Sequence, residues 1–318
     1  MKAIHQDRYG SPDLLKLAEV DKPALEDDRV LVRVRASSVN AGDWRQVRAN
    51  PFFIRFIGGL RRPKSPLVGA DAAGVVEAVG ANITDLRPGD EVMGIRSGAF
   101  AEYVCGANFV RKPSNLSFEQ AAAVPIAAIT ALQGLRDHGK VQPGQRVVIN
   151  GAGGGVGSFA VQLAKHFGAD VTAVTSTGNL DFVRALGADH VIDYTQEDFT
   201  RAGPYDVIVD VGGNRSIASM RRALSADGML VLIAAARGGL GVLGRIAAGA
   251  FRARVLKQRV KFFVADVSKD DLRLLKELIE AGKIRPVIDR TYASLAEVPE
   301  ALHRLEQGKA RGKIVITV

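Results

Sequence analysis

A glycine-rich stretch in the middle of the chain, Val147–Gly157, constrains the fold more than any other part of the sequence. It begins with three β-branched residues, passes through a cluster of glycines and continues as an apolar-periodic helix. A strand, a glycine turn and a helix in this order are typical of a dinucleotide site, because glycines let the backbone approach a pyrophosphate and helix N–H groups point at it. The spacing is Ala152-x-Gly154-x-x-Gly157, with alanine at the first glycine position. A glycine-rich turn that binds no ligand is the alternative, and the flanking strand and helix disfavour it.

The rest of the chain divides into three stretches around this motif. Residues 1–121 contain short β-branched segments separated by turn signals such as Arg87-Pro88-Gly89-Asp90, which predicts a small β-barrel-like domain. Residues 122–266 alternate continuous apolar strands with helices, which predicts a parallel sheet covered on both faces. Residues 267–318 are predicted to return to the first domain and to complete it. We expect the ligand in the cleft between the two domains.

Composition and charge exclude several classes of protein. The 318 residues contain no apolar run of about 18 residues, so no membrane-spanning helix is expected. Cys105 is the only cysteine, which excludes an intramolecular disulfide and a multi-cysteine zinc knot. The first residues lack an apolar signal-peptide core, which predicts a cytoplasmic protein. The net charge of +9 could indicate nucleic-acid binding, but a solvated basic surface that attracts an anionic cofactor is the favoured interpretation.

Several short strings resemble the medium-chain dehydrogenase/reductase superfamily, and within it the zinc-independent quinone oxidoreductases. The strings are spread along nearly the whole chain, at Val39–Trp44, Pro66–Gly74, Leu86–Val92, Leu186–Asp189 and Arg311–Val315. The resemblance implies an α/β fold, with a doubly wound (Rossmann) nucleotide domain and a GroES-like, β-rich catalytic domain. It also implies a homodimer that pairs through the strand Val260–Val264.

The assignment to a zinc-free branch depends on residues that this chain lacks. The resemblance places a zinc-ligand cysteine in the segment that reads Ser38-Val39-Asn40 here, and a Gly-His-Glu string where this chain has Gly69-Ala70-Asp71. The five histidines are scattered and match no ligand position. Without a Lewis acid, the expected acceptor is already electron-poor, so a small hydrophobic quinone or enone is predicted. Alternatives are an alcohol or carbonyl dehydrogenase and a nucleotide-binding adaptor without turnover.

The residues after the second strand of the nucleotide domain favour NADPH over NADH. An NAD site carries an Asp or Glu about 20 residues beyond the glycines, where it binds the ribose 2′-hydroxyl. Here the segment Thr175–Asn179 contains hydroxyl and amide side chains and no carboxylate, so a 2′-phosphate is expected to be accepted. The resemblance adds Tyr194, Lys309 and Arg311 on the side of the adenosine phosphate. NADH remains possible.

Other site residues follow from the resemblance. Asn40, Asp43 and Trp44 are the candidate catalytic residues, although Asp43 could instead pair with Arg45 or cap a short helix. Phe262 and Phe263 could alternatively pack in the core. The predicted cofactor contacts are Thr130, Ala152, Gly153, Gly154, Gly155, Val156, Thr175, Ser176, Asn179, Tyr194, Val211, Ile233, Ala234, Phe262, Phe263, Val264, Lys309 and Arg311.

Overall fold

The computed structural model describes residues 1–52, 54–233 and 259–318. The chain forms two compact units. The first consists of Met1–Ile129 together with Val267–Val318, and the second of Thr130–Asp266. The first unit is therefore built from two segments of the chain that are far apart in sequence.

The first unit is built on a mainly antiparallel sheet with the order β14-β15-β3-β4-β5-β7, in which β6 also pairs with β3. A separate hairpin pairs β1 with β2. The strands are β1 Lys2–His5, β2 Lys16–Glu19, β3 Val30–Val39, β4 Asp71–Val79, β5 Glu91–Ile95, β6 Tyr103–Gly106, β7 Phe109–Arg111, β14 Ile288–Tyr292 and β15 Lys313–Thr317. The C-terminal strand β15 pairs antiparallel with β3, so the end of the chain completes the sheet that its beginning started.

Helices cover this sheet, and local sequence signals fix where they begin. Ser117 and Gln120 form a capping box at the start of the helix Phe118–Ala122. The Ser268 hydroxyl accepts a hydrogen bond from the N–H of Asp271 at the start of the helix Lys269–Glu280. The helices are α1 Ala41–Arg48, α2 Ile54–Gly58, α3 Phe118–Ala122, α4 Pro125–Gln133, α8 Lys269–Glu280 and α9 Val298–Glu306, with 3₁₀ turns at Pro12–Leu14 and Leu295–Glu297. Helix α4 continues beyond Ile129 into the second unit.

The second unit is a six-stranded sheet with the order β10-β9-β8-β11-β12-β13, and every strand pair in it is parallel. This order is the one of a doubly wound dinucleotide-binding fold, with the crossover point between β8 and β11. The strands are β8 Arg146–Asn150, β9 Asp170–Thr175, β10 His190–Asp193, β11 Tyr205–Asp210, β12 Leu224–Ile233 and β13 Arg259–Phe263. The predicted Rossmann sheet is therefore confirmed.

The helices of the second unit lie in the connections between its strands. They are α5 Gly155–His166, α6 Leu180–Ala185 and α7 Ile217–Arg222, with a π-helical turn at Gly134–Gly139 and 3₁₀ turns at Thr177–Asn179 and Phe199–Arg201. The core contains side chains from four neighbouring strands, among them Val148, Val174, Ile208 and Leu230. Across the described ranges, none of the helices has the length and apolar character that a membrane span needs.

Candidate functional site

The turn between β8 and α5 can be built only from glycine at two positions. Gly151 has φ +89°, and a Cβ placed there would lie 2.8 Å from the Gly212 nitrogen. A Cβ on Gly157 would lie 2.1 Å from the Gly151 carbonyl oxygen, so the helix could not pack this closely on the turn. At Gly154 the situation is the opposite, because the nearest atom to an added Cβ is 3.7 Å away. The close-packed glycines shape the turn, and the open one leaves room beside it.

The open position lies at the N-terminus of α5, a helix of 12 residues. Gly154 is the N-cap, and no side chain forms a cap hydrogen bond there. Gly154, Gly155 and Val156 are partly exposed, whereas the helix is buried from Gly157 to Ala164. The first-turn N–H groups of α5 are therefore accessible to an anion, which the helix dipole also favours. This geometry fits a pyrophosphate.

The segment Thr175–Asn179, which is predicted to contact the 2′ substituent of the ribose and is called the 2′ segment below, lies next to this turn. A Cβ on Gly153 would meet the Asn179 amide nitrogen at 2.7 Å and the Thr175 hydroxyl at 2.8 Å, so both side chains pack directly on the glycine turn. The Asn179 amide also donates to the Ser176 hydroxyl at 3.4 Å. The structure thus brings together the glycine turn and the three polar residues that were predicted from the end of β9.

The sequence argument considered only the segment Thr175–Asn179, and the structure places a carboxylate from the neighbouring strand beside that segment. Asp193, the last residue of β10, is only 8% exposed and pairs in register with Thr175. Its carboxylate accepts hydrogen bonds from the Thr177 hydroxyl and from both the N–H and the hydroxyl of Thr195. The Thr177 hydroxyl bond holds the pKa of Asp193 below its usual value, so a negative charge is fixed beside the 2′ segment.

A second polar group that sequence reasoning missed lies at the carboxyl ends of β8 and β11. The Asn150 amide donates to Asp210 Oδ1 and to Asn214 Oδ1, each at 2.8 Å. Its own Oδ1 atom is buried without a hydrogen-bond partner among the described residues. Val211, predicted as a cofactor contact, follows directly and donates its N–H to the Asn150 carbonyl. An unsatisfied buried oxygen at this edge is available to a donor on a ligand or a water molecule.

The remaining predicted contacts of the second unit differ in their surroundings. Phe263 is 7% exposed, and its ring lies 4.2 Å from the His138 ring. Core packing is therefore correct for Phe263 and wrong for Phe262, which is 40% exposed. Val264 is exposed, and Thr130 is buried. Ile233 ends β12 and is half-buried, whereas Ala234 lies outside the described residues.

The three residues that the resemblance placed near the adenosine phosphate belong to different units. Tyr194 lies in the second unit, directly after β10, and is 40% exposed. Its N–H donates to the Thr175 carbonyl, which places it at the same sheet edge as the 2′ segment. Lys309 and Arg311 are exposed residues of the first unit.

The first unit contains a buried polar cluster that includes one of the candidate catalytic residues, Asn40. The Asp71 carboxylate, fully buried, accepts from the Ser38 hydroxyl at 2.8 Å and the Asn40 amide at 2.9 Å, and it lies 3.3 Å from the Lys313 ammonium. Lys313 also donates to Asn40 Oδ1 at 2.5 Å. Both ends of the Asn40 amide are therefore engaged inside the protein. A ligand carbonyl would have to compete with these bonds for the amide.

Asp43 and Trp44 stand at the start of α1, next to this cluster. Asp43 Oδ2 accepts the backbone N–H of Asn40 at 2.8 Å, so the helix-capping interpretation of Asp43 is confirmed. Burial raises the pKa of Asp43 to about 7, the Asn40 N–H bond opposes that rise, and the Asp71 charge adds to it. Trp44 is partly buried and packs against the hydrophobic core of the first unit.

The donors in this cluster do not fit a zinc ion. Zinc prefers thiolate, imidazole and carboxylate ligands. Here a single carboxylate, Asp71, is surrounded by a hydroxyl, an amide and the ammonium group of Lys313, which would repel a cation. Cys105, the only thiol, is in β6. In the part of the chain that the structure describes, no three His, Cys, Asp or Glu side chains are arranged to hold a metal ion.

Comparison with known families agrees with this architecture. Residues 26–114 match the alcohol dehydrogenase GroES-like domain, and residues 186–316 match a family described as zinc-binding dehydrogenase. The chain is 36% identical to the 2-methylene-furan-3-one reductase of Solanum lycopersicum, over 99% of this chain and 79% of that protein. It is 34% identical to the NADPH-dependent alkenal/one oxidoreductase, chloroplastic, of Arabidopsis thaliana, with the same coverage.

Among solved structures, a quinone oxidoreductase from Coxiella burnetii is similar over the whole chain. The two share 33% identity with a TM-score of 0.87, and the match covers 100% of this chain and 99% of that one. Similarity of this extent includes both the antiparallel sheet and the parallel sheet.

Proposed function

Because this chain belongs to the medium-chain dehydrogenase/reductase superfamily, we propose that it is an NAD(P)H-dependent reductase of quinones or α,β-unsaturated carbonyl compounds. The observation that carries the proposal is the open glycine turn at the N-terminus of α5, in a chain whose full length is similar to enone and quinone reductases. When bound, the nicotinamide supplies the hydride. The residues of the chain bind it, orient it and control protons around the acceptor.

Each part of the nucleotide edge has a separate role in this proposal. The first-turn N–H groups of α5 bind the pyrophosphate, and Gly154 lets it approach the backbone. Thr175, Ser176 and Asn179 contact the adenosine ribose and its 2′ substituent. The unpaired Asn150 oxygen accepts a hydrogen bond at the carboxyl end of β8. We propose that NADPH is preferred and that NADH is also accepted.

The acceptor follows from the absence of suitable zinc ligands in the Asp71 cluster. An alcohol dehydrogenase needs a Lewis acid to stabilise the alkoxide, and the Lys313 ammonium beside Asp71 disfavours a metal at this position. A quinone or enone delocalises the negative charge that hydride transfer generates. Such acceptors need orientation more than strong electrophilic assistance. We therefore propose turnover without a metal ion.

Among the candidate catalytic residues, Asn40 and Trp44 receive supporting roles, and only Asp43 receives a direct one. Asn40 is held by Lys313 and Asp71, so we assign it to orienting the local backbone instead of polarising the acceptor carbonyl. Burial raises the pKa of Asp43 to about 7, which makes its carboxyl group a candidate proton source beside bulk water. Trp44 contributes an apolar wall.

Two further properties stay predictions. A homodimer would pair through β13, which is the last strand of the parallel sheet in the described residues. Phe262 on this strand is 40% exposed, so its apolar ring would be available for contact with a partner subunit. The cytoplasm stays the expected compartment.

Initial rates of NADPH and NADH oxidation test the proposal directly. The acceptors are a panel of quinones, enones, saturated aldehydes and ketones, each measured before and after treatment with a chelator. We expect turnover with quinones or enones, no turnover with saturated carbonyls and no effect of chelation. Activity restricted to alcohols or saturated carbonyls, or activity that requires added zinc, would contradict it. Nucleotide binding without any turnover would favour the adaptor alternative.

A further inference from the structure

We propose that Asp193 is a specificity-determining residue, whose carboxylate weakens the binding of a 2′-phosphate and so limits the preference for NADPH over NADH. The inference rests on the proposed function, because it concerns the same nucleotide site. It begins from the position of Asp193 at the end of β10.

The position of Asp193 follows from the register of two parallel strands. Asp193 pairs with Thr175, so the residues that follow β9 and β10 leave the sheet side by side. The carboxyl edge of such a sheet is where a nucleotide binds. Thr177 Oγ1 lies 3.2 Å from Thr195 Oγ1, which shows how closely the two segments approach. The Asp193 carboxylate accepts hydrogen bonds from both of these hydroxyl groups.

The chemistry of Asp193 distinguishes a hydroxyl from a phosphate at this edge. The carboxylate accepts three hydrogen bonds from the neutral groups of Thr177 and Thr195, and no ion pair between it and a cation is found among the described residues. Its negative charge is therefore not neutralised locally. Because the Thr177 hydroxyl donates to Asp193, its proton is not available to a phosphate oxygen. A ribose 2′-hydroxyl is neutral and experiences neither effect.

The experiment measures binding of two fragments that differ only in the 2′ substituent, ADP-ribose and 2′-phospho-ADP-ribose, by isothermal titration calorimetry. Removal of the charge in Asp193→Asn or Asp193→Ser is expected to raise the affinity for the phosphorylated fragment by about three- to tenfold, the effect of like charges near a protein surface. Affinity for ADP-ribose is expected to stay within about twofold. Two different neutral replacements guard against one that folds poorly.

Two other variants separate the local charge from other causes. Asp189→Asn makes the same change in net charge at the opposite end of β10, where Asp189 pairs with Lys165 at 2.7 Å, and it should leave the ratio of affinities unchanged. Thr177→Val removes one donor but keeps the Asp193 charge, so it should not raise the ratio. If Thr177→Val raises the ratio as much as Asp193→Asn does, loop geometry sets the preference and the inference is wrong.

The result also separates this inference from the proposed function. Wild-type protein that binds neither fragment overturns the proposed function together with the inference. Wild-type protein that binds both fragments, with an unchanged ratio in both Asp193 variants, overturns the role of Asp193 alone. A loss of affinity for both fragments in these variants means a structural role, which also overturns it.

Discussion

Lys313 carries a charge in one of the least favourable environments of the first unit. The residue is 3% exposed, and its ammonium group bonds to the Val39 carbonyl at 3.1 Å and to Asn40 Oδ1. Removing a charge from water costs several kcal/mol, and only a well-bonded partner offsets that cost. Asp71 supplies the opposite charge, so each of the two residues depends on the other for its burial.

We predict that Lys313→Met lowers the free energy of unfolding by about 3–5 kcal/mol, because it leaves the Asp71 carboxylate buried without its cation. Urea denaturation measures the change. The matched control is Lys16→Met, since Lys16 pairs with Asp7 at the surface with 71% of its side chain exposed. The control should cost at most about 1 kcal/mol. The double variant Lys313→Met/Asp71→Asn should lose less than the sum of the two single variants, and strict additivity would contradict the coupling.

The residues that sequence reasoning missed share one property, which is that their partners are set by tertiary pairing. Lys313 and Asp71 are 242 positions apart, and both lie in strings that were recognised, yet no local pattern indicates that they meet. Asp193 reaches Thr177 only because β9 and β10 pair in one particular register. By contrast, the capping role of Asp43 is local, and the frequency of aspartate at helix starts was enough to suggest it.

At the scale of elements, strand bounds could be predicted where a short β-branched run has polar residues at its ends. The sequence predicts strands over Asp170–Thr175 and His190–Asp193, and β9 and β10 have these bounds in the structure. The alternating pattern of Val30–Val34 predicts a strand over those five residues, whereas β3 continues through Val39. The extension contains Ser37 and Ser38, which are buried because they bond to Asp71. A polar pair inside a strand removes the alternation on which the prediction depended.

The glycine turn offers a contrast between two substitutions within one element. Gly157→Ala places a Cβ 2.1 Å from the Gly151 carbonyl oxygen, so β8 and α5 must separate. We predict a loss of unfolding free energy of about 1–3 kcal/mol or more, measured by urea denaturation. Affinity for ADP-ribose should fall as well, because the turn is no longer held in place.

Gly154→Ala is expected to separate binding from folding. Its backbone has φ −86°, which alanine adopts, and an added Cβ has no neighbour closer than 3.7 Å. The free energy of unfolding should therefore change by less than about 1 kcal/mol, while affinity for ADP-ribose falls because the methyl group occupies the space beside the helix N-terminus. Unchanged affinity would mean that the pyrophosphate does not bind at this turn.

At the scale of the whole molecule, the sequence indicated the fold class because its two sheets have different patterns. Alternating short strands produce the antiparallel sheet of the first unit, and apolar strands separated by helices produce the parallel sheet of the second. The place at which residues 267–318 join the first unit was harder to predict from the sequence. Only the pairing of β15 with β3 shows where the C-terminal segment is inserted, and that pairing is set by buried side chains on both strands.

Net charge is also a property of the whole molecule, and it leads to the last prediction. A chain with a net charge of +9 attracts a polyanionic nucleotide. Salt weakens this attraction, because it screens charges that are farther apart than the Debye length, about 10 Å at 0.1 M. We predict that kcat/KM for NADPH falls by about three- to tenfold between roughly 0.02 and 0.3 M salt, and that kcat/KM for NADH falls less, because NADH carries no 2′-phosphate. The KM of a neutral quinone, measured with saturating NADPH, is the control and should hardly change. If NADPH and NADH respond equally to salt, the basic surface does not sense the 2′-phosphate, and the selectivity for NADPH must come from contacts within the site alone.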